Sequence, residues 1–112
     1  CGTPYYMSPE IIKAEPYSFS TDVWSMGVIL YEMCMQTLPF DGKNIIQLSN
    51  NIVKGEFKPV SGPYSAEIKK LIKDCLNTDP SRRPTVNSIL EMPCIKSRIK
   101  KYLSDTIMRE EF

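Results

Sequence analysis

Residues 20–35, STDVWSMGVILYEMCM, form the most apolar stretch of the sequence and decide its architecture. Ser20 or Thr21 can cap a helix here, and Pro39 marks the point before which the helix must stop. Apolar residues recur on nearly every side of this helix, which predicts a buried, central helix. Its fifteen or so residues span roughly 22 Å, and the apolar run is too short to cross a bilayer, which needs about 20 residues.

The chain after the central helix predicts further helices and no strand of useful length. Ile45, Leu48 and Ile52 form one apolar stripe, and Gly55 is a plausible stop for that helix. Ser65 is expected to cap the next helix, which carries the clearest amphipathic pattern in the sequence. The apolar positions of that helix are Ile68, Leu71, Ile72, Cys75 and Leu76.

The two ends of the chain complete the prediction of an all-α fold. Residues 1–20 read as loop with about one helical turn, because three prolines prevent a continuous helix. Thr85 is expected to start a short helix, and Pro93 precedes a last one. The inward positions of the short helix are Val86, Ile89 and Leu90, and those of the last are Ile95, Ile99, Tyr102 and Leu103.

Composition and charge exclude several classes of function. The 112 residues are 42% apolar and 24% charged with a net charge of +1, as in ordinary globular proteins. Residues 1–42 carry one base against five acids and residues 43–112 carry thirteen against eight, too mild an asymmetry to predict binding to nucleic acid or an anionic membrane. The chain has no histidine, and its four cysteines show no CxxC pairing, so no metal site is expected. Reduced thiols in an intracellular protein are the interpretation that we favour.

Three motifs occur in a characteristic order: GTPYYMSPE at 2–10, DVWSMG at 22–27 and DPSRRPT at 79–85. Together they resemble the helical C-terminal portion of the large lobe of a eukaryotic protein kinase. The closing residues 93–112, and VNSILEMP just before them, are similar to the end of the kinase domain in NIMA-related serine/threonine kinases. The resemblance implies three parts, which are 1–20 as the end of the activation segment and P+1 loop, 21–92 as large-lobe helices, and 93–112 as closing helix and tail.

In that family the opening loop is the platform on which a substrate peptide lies. The resemblance gives this substrate-binding role to Gly2, Thr3, Pro4, Tyr5 and Tyr6. Glycine allows close approach of the peptide, and proline keeps the turn rigid. Thr3 corresponds to the threonine that bridges the catalytic aspartate and lysine in serine/threonine kinases, so the pattern implies serine or threonine acceptors.

Two further sets of residues carry structural roles in the family. Glu10, in the Ser-Pro-Glu counterpart of the family's Ala-Pro-Glu, is expected to pair with Arg83, whose planar guanidinium suits a carboxylate; two unrelated surface charges are the alternative. Asp22 corresponds to the residue that anchors the catalytic loop, although a helix N-terminus also favours an acid. Trp24 and Gly27 are expected to pack beneath the activation segment in support of that anchor.

Phosphoryl transfer requires parts that the sequence does not contain. Its five glycines never occur in GxGxxG spacing, the lack of histidine excludes a His-Arg-Asp loop, and there is no Asp-Phe-Gly. In protein kinase sequences these parts come before the position that corresponds to Cys1. The resemblance therefore implies a fragment of a protein serine/threonine kinase that is inactive by itself and has no catalytic residue of its own. ATP and magnesium would be bound by the full-length kinase and not by this fragment.

The resemblance also implies partners and a cellular setting. The partners are protein substrates with serine or threonine acceptors and the missing N-terminal part of the kinase domain, without nucleic acid or membrane. An intracellular, cytoplasmic location is expected, with cytoskeleton, centrosome, cilium and nucleus as the sites that the family implies. Two alternatives stay open, a non-catalytic pseudokinase-type scaffold and an independent helical adaptor. The upstream sequence would separate enzyme from scaffold.

Overall fold

The computed structural model describes the backbone of residues 4–111 and the side chains of residues 4–106. Over this range the chain is helical and contains no strand, so the all-α prediction is confirmed. The elements are α1 (Pro9–Ile12), α2 (Phe19–Met35), α3 (Ile45–Lys54), α4 (Ala66–Cys75), a 3-10 helix (Pro80–Arg82), α5 (Val86–Leu90) and α6 (Pro93–Glu111). None of the described helices combines the length and apolar character needed to cross a membrane.

The central helix α2 begins slightly earlier than the sequence suggested. Ser18, rather than Ser20 or Thr21, is its N-cap, with an extended backbone at φ −148°. Thr21 reaches back from the first turn and accepts a hydrogen bond from the Ser18 backbone N–H at 3.1 Å. Together with the 3.0 Å hydrogen bond from the Thr21 backbone N–H to the Ser18 carbonyl, this contact fixes the start of the helix. The helix ends at Met35, where Gln36 adopts a left-handed conformation.

The core lies on one side of α2, between it and the helices α3 and α4. The larger cluster of buried residues is Trp24, Val28, Tyr31, Phe40, Leu48, Ile52, Ile72 and Leu76. A smaller one is Val23, Leu71, Cys75 and Ile89. Gly27 lets α2 and α4 approach closely, because a Cβ at this position would lie 2.6 Å from the Cβ of Cys75.

The opposite side of α2 corrects the expectation of an enclosed helix. Met33 is 65% exposed, Ile29 is 48% exposed and Phe19 is 83% exposed. The described helices pack on one side of α2 only, and no described residue buries this second face. The burial predicted from the all-round apolar pattern is therefore wrong for this part of the chain.

The short helix α5 corrects a second expectation. Ile89 is buried, but Val86 and Leu90 are exposed rather than turned inward. A helix of five residues makes little more than one turn, so only one direction of it faces the core. Beyond α5, Met92 and Ile95 pack against the smaller cluster, while Ile99, Tyr102 and Leu103 on α6 are exposed rather than turned inward as expected.

Candidate functional site

The loop that precedes α1 is attached to the surface of α2. The Tyr6 hydroxyl donates a hydrogen bond of 2.8 Å to Oε1 of Glu32. The Ser25 hydroxyl donates to the backbone carbonyl of Tyr6 at 3.3 Å. Tyr5 packs against the core cluster that contains Trp24. Tyr6 is therefore fixed by side chains of the central helix, and Tyr5 by the hydrophobic core.

Of the five residues assigned to the substrate platform, Gly2 and Thr3 lie outside the described residues. Pro4 opens a tight turn, in which its carbonyl accepts a hydrogen bond of 3.2 Å from the Met7 backbone N–H. Tyr6 is exposed, and its hydrogen bond to Glu32, together with partial burial and the charge of that carboxylate, raises the phenol pKa. The phenol therefore stays protonated and able to donate.

Helix α1 places one carboxylate beneath this loop. Ser8 caps the helix, with its hydroxyl oxygen 3.4 Å from the Ile11 backbone nitrogen, and Pro9 occupies the first helical turn. Both choices suit a helix start, since proline lacks the N–H that would be left unpaired there. Glu10 follows directly and is only 3% exposed. The short helix thus turns an acidic side chain into the core.

Glu10 meets Arg83, which follows the 3-10 helix 73 residues later in the chain. Nη1 of Arg83 lies 2.6 Å from Oε2 of Glu10, and Nη2 lies 2.7 Å from Oε1. Both side chains are almost fully buried. The predicted ion pair is therefore present, with the parallel two-bond geometry for which a guanidinium is suited.

Neighbouring groups satisfy the remaining donors and acceptors of this ion pair. Nε of Arg83 donates to the carbonyl of Asn77 at 2.8 Å, and Nη1 donates to the carbonyl of Ser20 at 2.9 Å. The Thr21 hydroxyl donates to Oε2 of Glu10 at 3.0 Å. Because buried charges are tolerated only when they are paired and hydrogen-bonded, these contacts are part of the site. Nothing in the sequence pointed to Asn77 or to this use of Thr21.

Trp24 forms the apolar wall of the ion pair. Its side chain is fully buried, its ring stacks on Phe40 with 5.5 Å between centroids, and the guanidinium carbon of Arg83 lies 5.0 Å from the ring centroid. A cation over an indole face is an attractive arrangement. The buried indole Nε1–H donates to no described residue. Trp24 therefore links the hydrophobic core to the buried charges.

The other two residues assigned to the catalytic-loop anchor lie apart from the ion pair. Asp22 is exposed in the first turn of α2, where it accepts a hydrogen bond from the Tyr17 hydroxyl. Gly27 lies against Cys75, the last residue of α4, and against the adjacent Leu76. Gly27 follows Asp22 by five residues, which places it about 140° further around the helix. It therefore faces α4, whereas Asp22 faces away from it.

The Glu10 carboxyl is held in its charged form. Burial by itself would raise its pKa, but hydrogen bonds from Arg83 and Thr21 and the charge of Arg83 lower the pKa from 4.5 to about 2. The protein must therefore be acidified well below the usual range of a glutamate before the ion pair is neutralised.

This shift predicts a loss of stability in acid. Because the pKa is lower in the folded than in the unfolded state, the stabilisation is complete above about pH 5 and is lost as the pH falls through the range from 4.5 to about 2. We expect urea unfolding at a series of pH values to show this decline in the free energy of unfolding. In Glu10→Gln the decline should be smaller, while in the exposed control Glu15→Gln it should stay complete. Equal declines in all three proteins would contradict the assignment.

The site can hold a loop in place, but the described residues do not form a reaction centre. No three described His, Cys, Asp or Glu side chains are grouped so that they could hold a metal ion. Burial raises the pKa of the Cys75 thiol to about 12, so it remains an unreactive thiol at neutral pH. Cys34 and Cys94 are also free thiols. What the arrangement offers is a rigid surface that is attached to α2 and braced from behind by the Glu10–Arg83 ion pair.

Comparison with known proteins gives matches along nearly the whole chain. Residues 1–95 match the family described as the protein kinase domain. The chain is 44% identical over 111 residues to the human serine/threonine-protein kinase Nek5, covering 99% of this chain and 16% of that protein. Over 95 residues it is 44% identical to the G2-specific protein kinase nim-1 of Neurospora crassa and 42% identical to nimA of Emericella nidulans. Each of these matches covers 85% of this chain, and 11% and 14% of the two relatives.

Proposed function

The chain belongs to the protein kinase domain family, as part of a NIMA-related catalytic domain, and from this we propose that it serves the transfer of phosphate from ATP to serine and threonine side chains of proteins. Since the chain spans about a sixth of the human relative, its part in that reaction is limited. We assign it the binding and positioning of the substrate peptide. The observation that carries the proposal is the loop at Pro4–Tyr6, which is held on α2 and braced by the Glu10–Arg83 ion pair.

The exposed face of α2 supports a second role. Positions 22, 29 and 33 lie within about 40° of one another around a helix, so Asp22 shares a face with the exposed Ile29 and Met33. We assign to this face the contact with the catalytic loop, with Asp22 accepting hydrogen bonds from its backbone amides. A carboxylate in that position shapes a loop without taking part in the chemistry. Trp24 and Gly27 support it indirectly by fixing α2 to the core and to α4.

In the proposed reaction, ATP binds to another part of the kinase and not to this chain. Kinases of this family use ATP and magnesium, but the described residues contain no grouping that fits the metal, and the sequence has no glycine-rich phosphate loop. ATP and magnesium would be held by residues outside this chain. What the chain contributes is the position of the acceptor hydroxyl, and misplacement of a reacting group by 1 Å can lower a rate by roughly a hundredfold.

A chimeric kinase tests the proposal. This chain replaces the 111 matched residues of human Nek5, and phosphate transfer is measured with three peptides that differ only in having serine, threonine or tyrosine as acceptor. We expect transfer to serine and threonine and at least about a hundredfold less to tyrosine. A chimera that folds and binds ATP but transfers no phosphate would overturn the proposal in favour of a scaffold.

Substitutions at Thr3 provide the internal control of this experiment. Thr3→Ala in the chimera should reduce kcat/KM for the serine peptide by roughly a hundredfold, and Thr3→Ser should restore most of it because the hydroxyl is kept. Thr37→Ala, in an exposed connection after α2, should leave kcat/KM within twofold of the unsubstituted chimera. Equal effects of Thr3→Ala and Thr37→Ala would contradict the role given to Thr3.

A further inference from the structure

A groove of about 770 Å³ lies between the end of α3, the following loop and α4. It is on a different part of the surface from the loop at Pro4–Tyr6, and none of the residues discussed under the proposed function lines it. Apolar side chains form its floor, and lysines stand along its edges. The residues that the argument uses are Lys54, Phe57, Val60, Lys69, Lys73 and Leu76.

The walls of this groove are fixed by the fold. Phe57 packs edge-on against both Tyr31 and Phe40, with 5.8 Å between ring centroids in each pair. The Tyr31 hydroxyl donates a hydrogen bond of 2.6 Å to the carbonyl of Lys58, which holds the loop to α2. At the end of α3, Gly55 has a φ of +74° and contacts Thr78 where a Cβ would not fit. A ligand would therefore enter a groove that is already formed.

The lysines at the edges of the groove leave it with a net positive charge. Lys54 lies 3.4 Å from Glu56, and Lys70 lies 2.7 Å from Asp74, so acids partly neutralise these two. Lys69 and Lys73 form no ion pair with any described residue. They are four residues apart on one helix, a spacing at which like charges repel each other. A bound anionic group would offset this repulsion, because it attracts both lysines.

We propose that the groove binds an extended, acidic peptide segment of a partner protein. One apolar side chain of the peptide lies on the floor formed by Phe57, Val60 and Leu76, and flanking carboxylates pair with Lys69 and Lys73. The apolar floor favours a peptide over nucleic acid, whose binding depends mainly on phosphate contacts. This site is independent of the proposed kinase activity, because it lies outside the platform and the α2 face assigned to the catalytic loop.

Fluorescence anisotropy on the 112-residue chain tests the proposal with a fluorescein-labelled peptide of sequence Asp-Asp-Leu-Asp-Asp-Phe-Asp-Asp. We expect saturable binding that is weakened at least about tenfold by Lys69→Glu with Lys73→Glu, because charge reversal juxtaposes like charges. The milder pair Lys69→Gln and Lys73→Gln removes the charge but keeps a polar side chain, and should weaken binding about threefold. A peptide with serine in place of leucine and phenylalanine should also bind at least about threefold more weakly.

The matched control reverses the same amount of charge elsewhere. Lys100→Glu with Lys101→Glu alters two exposed lysines of α6 and should leave peptide affinity within twofold of the unsubstituted chain. Equal weakening by both charge reversals would show non-specific attraction and overturn the proposal. So would the absence of saturable binding, or stronger competition by a single-stranded DNA octamer or by vesicles containing phosphatidylserine than by the unlabelled peptide.

Discussion

Replacing Arg83 by alanine is expected to lower the free energy of unfolding by about 3–5 kcal/mol. The loss arises because Glu10, at 3% exposure, would keep its buried charge without the guanidinium that now binds both carboxylate oxygens. The carbonyls of Asn77 and Ser20 would lose their donor at the same time. Urea unfolding followed by far-UV circular dichroism at pH 7 measures the change.

The adjacent residue supplies the matched control. Arg82 is 75% exposed and lies 3.7 Å from Asp79, so Arg82→Ala should cost no more than about 0.5 kcal/mol. The double variant Glu10→Met with Arg83→Leu should recover a large part of the loss, because it leaves no charge unpaired. A loss below about 1 kcal/mol for Arg83→Ala, or equal losses at the two arginines, would refute a stabilising role for the ion pair.

Trp24→Ala is expected to have an effect of similar size, about 3–5 kcal/mol, for a different reason. The side chain is fully buried, so its removal leaves a large cavity next to Phe40 and exposes the Arg83 guanidinium to a void. Thermal and urea unfolding of the variant both measure the loss.

Phe19 serves as the aromatic control on the same helix. It is 83% exposed, and Phe19→Ala should therefore change the free energy of unfolding by no more than about 0.5 kcal/mol. Since Trp24 and Arg83 are in contact, the double variant Trp24→Ala with Arg83→Ala should lose less than the sum of the two single losses. Strictly additive losses would mean that the tryptophan and the ion pair stabilise the fold separately.

The helices were predictable where their signals are local. Ser65 and Thr85 cap α4 and α5 as expected, with their hydroxyl oxygens 3.2 and 3.0 Å from the backbone nitrogens three residues on. Gly55 ends α3 in a left-handed conformation, also as expected. In each of these cases the sequence neighbours are also the neighbours in space, so spacing and residue type were sufficient.

The contacts that build the site depend on residues far apart in the chain. The pairing of Glu10 with Arg83 was predicted through the resemblance to kinases, since no periodicity relates two residues separated by 73 positions. The roles of Asn77 and Thr21 follow only from coordinates, because a backbone carbonyl and a hydroxyl leave no distinctive pattern. The exposed face of α2 does not follow from the apolar pattern alone, which predicts burial without saying which segment provides the cover.

The separation between the two partners of the ion pair has a consequence for synthesis. At about 5–20 residues per second, a ribosome completes the arginine roughly 4–15 s after the glutamate, which precedes it by 73 residues. Until then the emerging carboxylate stays hydrated, and the tyrosine-bearing turn above it lacks the ion pair that braces it from behind. The surface to which we assign peptide binding is thus expected to reach its final structure only after Arg83 has been synthesised.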